Sequence, residues 1–169
     1  MKYSFFILFI ILFSSCQEST ESSVKTIDKT EMHTISKHQI NTVLEKNNDQ
    51  SFLSWKEYTL VSDKLEKFKS ISANEALNNA LQLSKLVKQL KDSIRPKDLL
   101  NNPFRTRINV LENEVLRLKD MTYISSITSK EVNNQVTKIM EAFSATNSKI
   151  NTVYSQLKIE KEIKINQFK

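Results

Sequence analysis

TSKEVNNQVTKIMEAFSATNSKINTVYSQL, residues 128–157, places Val132, Val136, Ile139, Phe143, Thr146, Ile150, Val153 and Leu157 at alternating steps of four and three. That step keeps side chains on one stripe of an α-helix, and its regular recurrence is the heptad of helices packed side by side. The opening TSKE (Thr128 to Glu131) reads as a capping box, with threonine bonding forward and glutamate bonding back to satisfy the first free backbone N–H groups. One long amphipathic helix is therefore expected over residues 129–166, about 55 Å in length.

Working outward, the same signals recur upstream. SANE (Ser72 to Glu75) is a second capping box, followed by Ala76, Ala80, Leu83, Val87, Leu90 and Ile94 at heptad spacing. Pro96 stops that helix. Asn102-Pro103 reads as a helix start, with asparagine as cap and proline at the first helical position. Ile108, Leu111, Val115 and Leu118 form the next stripe, and Trp55, Tyr58, Leu65 and Phe68 recur at helical intervals before it all. Helices are expected near 52–70, 73–94, 103–125 and 129–166. Whether the first two, or the last two, run on as one bent helix stays open.

Composition points the same way. The 169 residues include no glycine and only two prolines, Pro96 and Pro103. Strand-rich folds need tight turns with positive backbone angles, which glycine supplies most cheaply. The expected fold class is all-α, an elongated antiparallel helical bundle or coiled-coil-like hairpin of three to four helices over residues 51–169. The last helix would pack on the 73–94 and 103–125 hairpin over one half and on 52–70 over the other. An intermolecular coiled coil is the rival arrangement.

The N-terminus carries a different signal. Residues 1–16, MKYSFFILFIILFSSC, hold an apolar run from Phe5 to Phe13, one positive charge at Lys2, two small serines and the only cysteine of the chain. Nine apolar residues are too few to cross a bilayer, which takes ~20, but they fit the hydrophobic region of a signal peptide. The stretch resembles the lipobox of bacterial lipoproteins, with Phe13 where leucine is commonest and Leu12 one place earlier. The resemblance implies cleavage before Cys16, a diacylglycerol thioether on its sulfur, and acylation of its new amine. With no second cysteine an intramolecular disulfide is excluded, and a lipidated thiol is protected in an oxidising envelope. Gln17 is not the aspartate that, in the best-known sorting rule, retains lipoproteins at the inner membrane. The outer membrane of a Gram-negative bacterium is the expected address, and the acidic QESTES leaves periplasmic and surface-facing sides open.

Residues 1–15 are thus expected as a signal peptide, and 16–50 as the lipidated cysteine with a polar, Ser/Thr-rich, partly disordered tether. If flexible, residues 17–50 would span an r.m.s. distance of roughly 30–35 Å.

Catalytic constellations are wanting. Without glycine there is no phosphate-cradling loop of the P-loop or dinucleotide type. Glu112 and Glu114 stand two apart on a helix and point about 200° away from each other. His33 and His38 fall in the expected tether, where no packed shell would orient an imidazole, and their spacing of five does not share a helical face for a metal. The aromatic stripe of Phe52, Trp55, Tyr58 and Phe68 is expected as core. No enzyme activity, cofactor or metal is expected.

Charge is more informative. The chain carries +6 overall. Residues 85–107 hold Lys85, Lys88, Lys91, Arg95, Lys97, Arg105 and Arg107 against only Asp92 and Asp98, a local +5. Such a hairpin tip would attract phosphate or carboxylate groups: lipid A phosphates, an anionic envelope glycan or an acidic envelope protein. Nucleic acid is not expected in that compartment, and only Phe104 interleaves an aromatic ring with the cations. Two readings follow. One is a structural or interaction lipoprotein, attached to the membrane through its lipid, that docks another envelope component. The alternative is a binding lipoprotein that captures an anionic ligand at the tip. A third, an enzyme, has no constellation behind it.

Overall fold

The computed structural model describes residues 31–45, 55–94 and 96–167. The signal peptide, Cys16, Phe52 and Arg95 lie outside the described residues. The described chain is mostly helical, an all-α bundle of four helices: α1 (Lys56–Phe68), α2 (Ala73–Asp92), α3 (Asn102–Met121) and α4 (Ser129–Gln167). Two three-residue strands accompany them, β1 (Ile35–Lys37) and β2 (Ser70–Ser72), with 3-10 turns at Glu31–His33 and Lys97–Leu99.

Each helix buries the stripe its spacing predicts. Tyr58, Val61, Leu65 and Phe68 go inward from α1, and Ala76, Ala80, Leu83, Val87 and Leu90 from α2. Phe104, Ile108, Leu111, Val115 and Leu118 go inward from α3. Along α4 the seam holds from Val132 through Val153, Thr146 included, whose hydroxyl donates to the Ala142 carbonyl at 2.9 Å. α2 and α3 form the expected antiparallel hairpin, and α4 packs along α3 and touches α2.

The helix starts follow local chemistry. Thr128 and Glu131 complete their capping box: the Glu131 N–H donates to Thr128 Oγ1 at 3.3 Å, and the Thr128 N–H donates to Glu131 Oε2 at 2.9 Å. The Thr128 hydroxyl and N–H together hold the Glu131 carboxyl below the usual carboxylate range. At α2 only the forward bond forms, from the Glu75 N–H to Ser72 Oγ at 3.3 Å. Ser72 itself belongs to the β-ladder. The cap of α3 is Asn101, one residue earlier than expected, accepting from the Phe104 N–H at 3.0 Å.

Both open questions of helix continuity are answered. Helices 52–70 and 73–94 are not one bent helix, because Ser70, Ile71 and Ser72 are extended and pair antiparallel with Lys37, Ser36 and Ile35. β-branched Ile71, 2 % exposed, favours that conformation between serines that cap and turn. Likewise α3 and α4 are separate, divided by turns between Thr122 and Thr128.

The far half of α4 does not rest on α1 as expected. α1 packs chiefly on α2, beside small Ala76 and Ala80, with the Lys64 ammonium donating to Asn79 Oδ1 and Gln82 Oε1, each at 2.6 Å. It reaches α4 through Tyr58, whose ring stacks on Phe143 at 5.8 Å and whose hydroxyl donates to Asn147 Oδ1 at 2.7 Å. α4 is 39 residues long, about 58 Å. It outruns the bundle: from Lys158 to Asn166 every residue is exposed, Ile159, Ile163 and Ile165 among them.

The expected free tether also fails over part of its length. Residues 31–45 lie along the bundle as a strap, with Met32, Ile40 and Leu44 packed partly against its core. The reason is visible only in three dimensions: α4 offers polar side chains where the strap backbone needs partners.

Candidate functional site

The bundle has two ends. At one, β1 and β2 pair and α4 begins; at the other, the chain turns between α2 and α3 through Leu99, which is fully buried. This second, tip end also holds Trp55, whose ring meets Phe104 at 6.2 Å. Of the seven expected tip cations, the six that are described differ in how they are paired. Lys91 donates to Glu112 Oε2 at 2.6 Å across the hairpin, and Lys88 pairs with Asp92 at 3.2 Å along α2. Lys85 is seven residues before the end of α2, about 10 Å back along the helix. Arg95 lies outside the described residues. That leaves Lys97, Arg105 and Arg107, all exposed, at the turn and on the first turns of α3. None of the three makes an ion pair among the described residues.

The cations that do pair are elsewhere: Lys69 with Glu66 at 2.7 Å, Arg117 with Glu114 at 3.4 Å. Beside the tip lies an open cleft of about 440 Å³, lined by Lys56, Glu57, Leu60, Gln89, Asp92 and Ser93. The expected separation of Glu112 and Glu114 holds: the first binds Lys91, while the second accepts from Gln135 Nε2 at 2.8 Å. Among the described residues no cluster of three or more His, Cys, Asp or Glu is placed to hold a metal ion. No helix among them is long and apolar enough to cross a membrane.

The strap and the face of α4 beneath it were not foreseen. Asn133, Thr137, Ser144, Asn147 and Asn151 form a polar line at heptad-compatible spacing beside the apolar seam. Ser144 Oγ accepts from the Asn41 N–H at 2.9 Å, and Asn147 Nδ2 donates to the Thr42 carbonyl at 2.8 Å. Asn151 takes the next residues, donating to the Val43 carbonyl at 2.9 Å and accepting from the Glu45 N–H at 3.1 Å. Each such bond contributes a net ~0.5–1.5 kcal/mol. The spacing of these side chains was a legible signal, but Asn and Ser on a helix ordinarily mean solvent.

His38 is the buried member of the strap, 8 % exposed, and so corrects the expectation that neither histidine has a packed shell. Its N–H donates to the Lys69 carbonyl at 2.9 Å, continuing the β1–β2 pairing. Its Nδ1 lies 3.1 Å from Thr137 Oγ1, a hydroxyl also placed to donate to the Asn133 carbonyl. The imidazole tautomer sets which of the two groups donates in this contact. Burial pushes the His38 pKa below its ordinary 6.5, with the Asn133 side chain opposing part of the shift.

A base whose pKa is lowered by docking binds protons more readily when undocked. The part of strap stability that depends on neutral His38 is therefore complete above about pH 6.5 and is lost as pH falls from there through the lowered value. Protection of the Asn41 amide, corrected for intrinsic exchange, is expected to decline over that window in the native chain. In His38→Gln it should be independent of pH there; an unchanged profile would remove His38 as the cause.

No protein-family model, no curated protein and no solved structure matches this chain.

Proposed function

We propose that the protein is a lipid-anchored envelope protein, attached to the outer membrane at Cys16, that acts as a non-catalytic interaction module and engages phosphate or carboxylate groups of an envelope component at its basic tip. The observation carrying this reading is local. Lys97, Arg105 and Arg107 stand exposed at one end of the bundle without ion pairs among the described residues, whereas Lys69, Lys88, Lys91 and Arg117 are each neutralised by a carboxylate. Unneutralised cations grouped at one end raise the local concentration of anions and speed their arrival. Arginine adds a planar fork matched to phosphate and carboxylate oxygens. The lipobox-like residues 13–16 supply the membrane address.

The test is capture on immobilised lipopolysaccharide, which offers both phosphate and carboxylate. Reversing Lys97, Arg105 and Arg107 to glutamate is expected to weaken capture about tenfold or more, since exposed contacts are worth ~0.2–1 kcal/mol each and reversal adds repulsion. Native capture should fade with added salt, because exposed charges are screened over ~8 Å at physiological ionic strength. Lys158, Lys161 and Lys164, exposed on the projecting end of α4, are the control triple. Lys64 and Lys69 would be poor controls, being bound by Asn79, Gln82 and Glu66. Equal loss from both triples, or none from the tip triple, would overturn the proposed site.

A further inference from the structure

We propose that residues 31–45 are a detachable strap, and that its release moves the point where the N-terminal segment leaves the bundle from the end opposite the basic tip to the end that carries the tip.

The strap is built to leave without opening the core. Among the described residues, every buried hydrophobic one lies between Trp55 and Val153. The strap itself adds only the partly covered Met32, Ile40 and Leu44, while its Ile35 and Val43 are 65 % and 62 % exposed. Its hold is polar: the three-residue β1–β2 ladder, His38 on Thr137, and the bonds from Ser144, Asn147 and Asn151 to its backbone. Undocking uncovers chiefly hydroxyls and amides that water satisfies; the apolar surface it frees is limited to Met32, Ile40 and Leu44 and the edge of Tyr58 and Phe143 that Ile40 and Leu44 adjoin. Elements held in this way open below the free energy of global unfolding.

Where the strap runs gives release a consequence. It begins at Glu31, whose carboxylate accepts from Ser129 Oγ at 3.0 Å, at the start of α4. It ends at Glu45 beside Asn151, 22 residues further along the same helix, about 33 Å away. Trp55, the first described residue after the strap, sits at the tip end against Phe104. With the strap docked, the 15 residue steps from Cys16 to Glu31 reach at most about 50–54 Å and arrive at the end remote from Lys97, Arg105 and Arg107. With it released, the 39 steps from Cys16 to Trp55 reach up to about 130–140 Å and arrive at the tip end. Docked, the tip is presented away from the anchoring surface; released, it is free to turn toward it.

The orientation step rests on Cys16 being the anchor, whereas detachment does not, so two measurements separate them. The first uses the full chain carrying Cys16→Ser, by amide hydrogen exchange. The Asn41 and Glu45 amides are expected to exchange at least about 100-fold faster than those of Leu83, Leu111 and Ile139. Ser144→Ala with Asn151→Ala should speed the strap amides a further tenfold and leave the core amides unchanged. Strap amides that exchange only with the core, or core amides that accelerate equally, would overturn the proposal whatever the anchor does.

The second uses the lipidated chain in vesicles, with Leu100→Cys labelled at the tip; Cys16 is the only native cysteine and is blocked by its lipid. Energy transfer from that label to a headgroup acceptor is expected to rise at least twofold in the Ser144→Ala, Asn151→Ala background. No rise, with exchange accelerated and lipid attached, would overturn the reorientation. A chain that takes up no lipid would instead overturn the anchor while the exchange result stands.

Discussion

Phe143→Ala is expected to destabilise the bundle by about 3–5 kcal/mol. Phe143 is 1 % exposed, sits mid-seam on α4, and stacks on Tyr58 at 5.8 Å. Removing the ring loses its transfer free energy and leaves a cavity that the rigid helices around it fill only in part. It also frees Tyr58, whose hydroxyl bond to Asn147 joins α1 to α4 close to the place where Asn147 holds the strap at Thr42. Domains of this size are stable by only ~5–15 kcal/mol, so the variant sits near the edge of folding. A fall in melting temperature of roughly 6–20 °C is expected, with a matching drop in the urea midpoint. A shift under about 2 °C would mean that Phe143 does not pack as described and that the seam is an open face.

Cys16→Ser is expected to abolish fatty-acid labelling and to move the protein from the membrane fraction into an uncleaved or soluble form. The effect is close to all-or-none for a physical reason. One acyl chain binds a bilayer marginally, and stable anchoring takes two or more, each buried CH₂ adding ~0.8 kcal/mol. The lipobox resemblance implies three chains on one residue, and a serine hydroxyl is no substitute for a thiolate in the first alkylation. Label persisting on the serine variant, or a native chain that never takes up label, would sink the anchor.

Much of the bundle was legible because helix packing leaves a periodic trace. Val132 through Val153 kept their expected face, as did Ala76 through Leu90 and Ile108 through Leu118. What misled was the assumption that apolar residues alone reveal contact. Met32, Ile40 and Leu44 are too scattered to register as a stripe, and the groups that hold the strap are amides and hydroxyls. The basic tip was half legible. Local charge excess is a sum over sequence, but Lys91 and Lys88 are neutralised by Glu112 and Asp92, and the first of these lies 21 residues away.

By itself, then, the sequence determined the all-α class, the four helical stripes, the caps at Thr128 and Ser72, and the concentration of cations around the α2–α3 turn. Those features depend on neighbours within a few residues, through helical periodicity and local hydrogen bonds to the first turn. Tertiary structure alone decided that Ser70–Ser72 is a strand, that α4 outruns its partners, and that residues 31–45 are fastened along it. Each of these turns on contacts between residues distant in sequence, such as His38 with Thr137 and Asn41 with Ser144. A hydrogen bond of that kind leaves no periodic signature, because an asparagine facing water and an asparagine facing a backbone read alike along the chain.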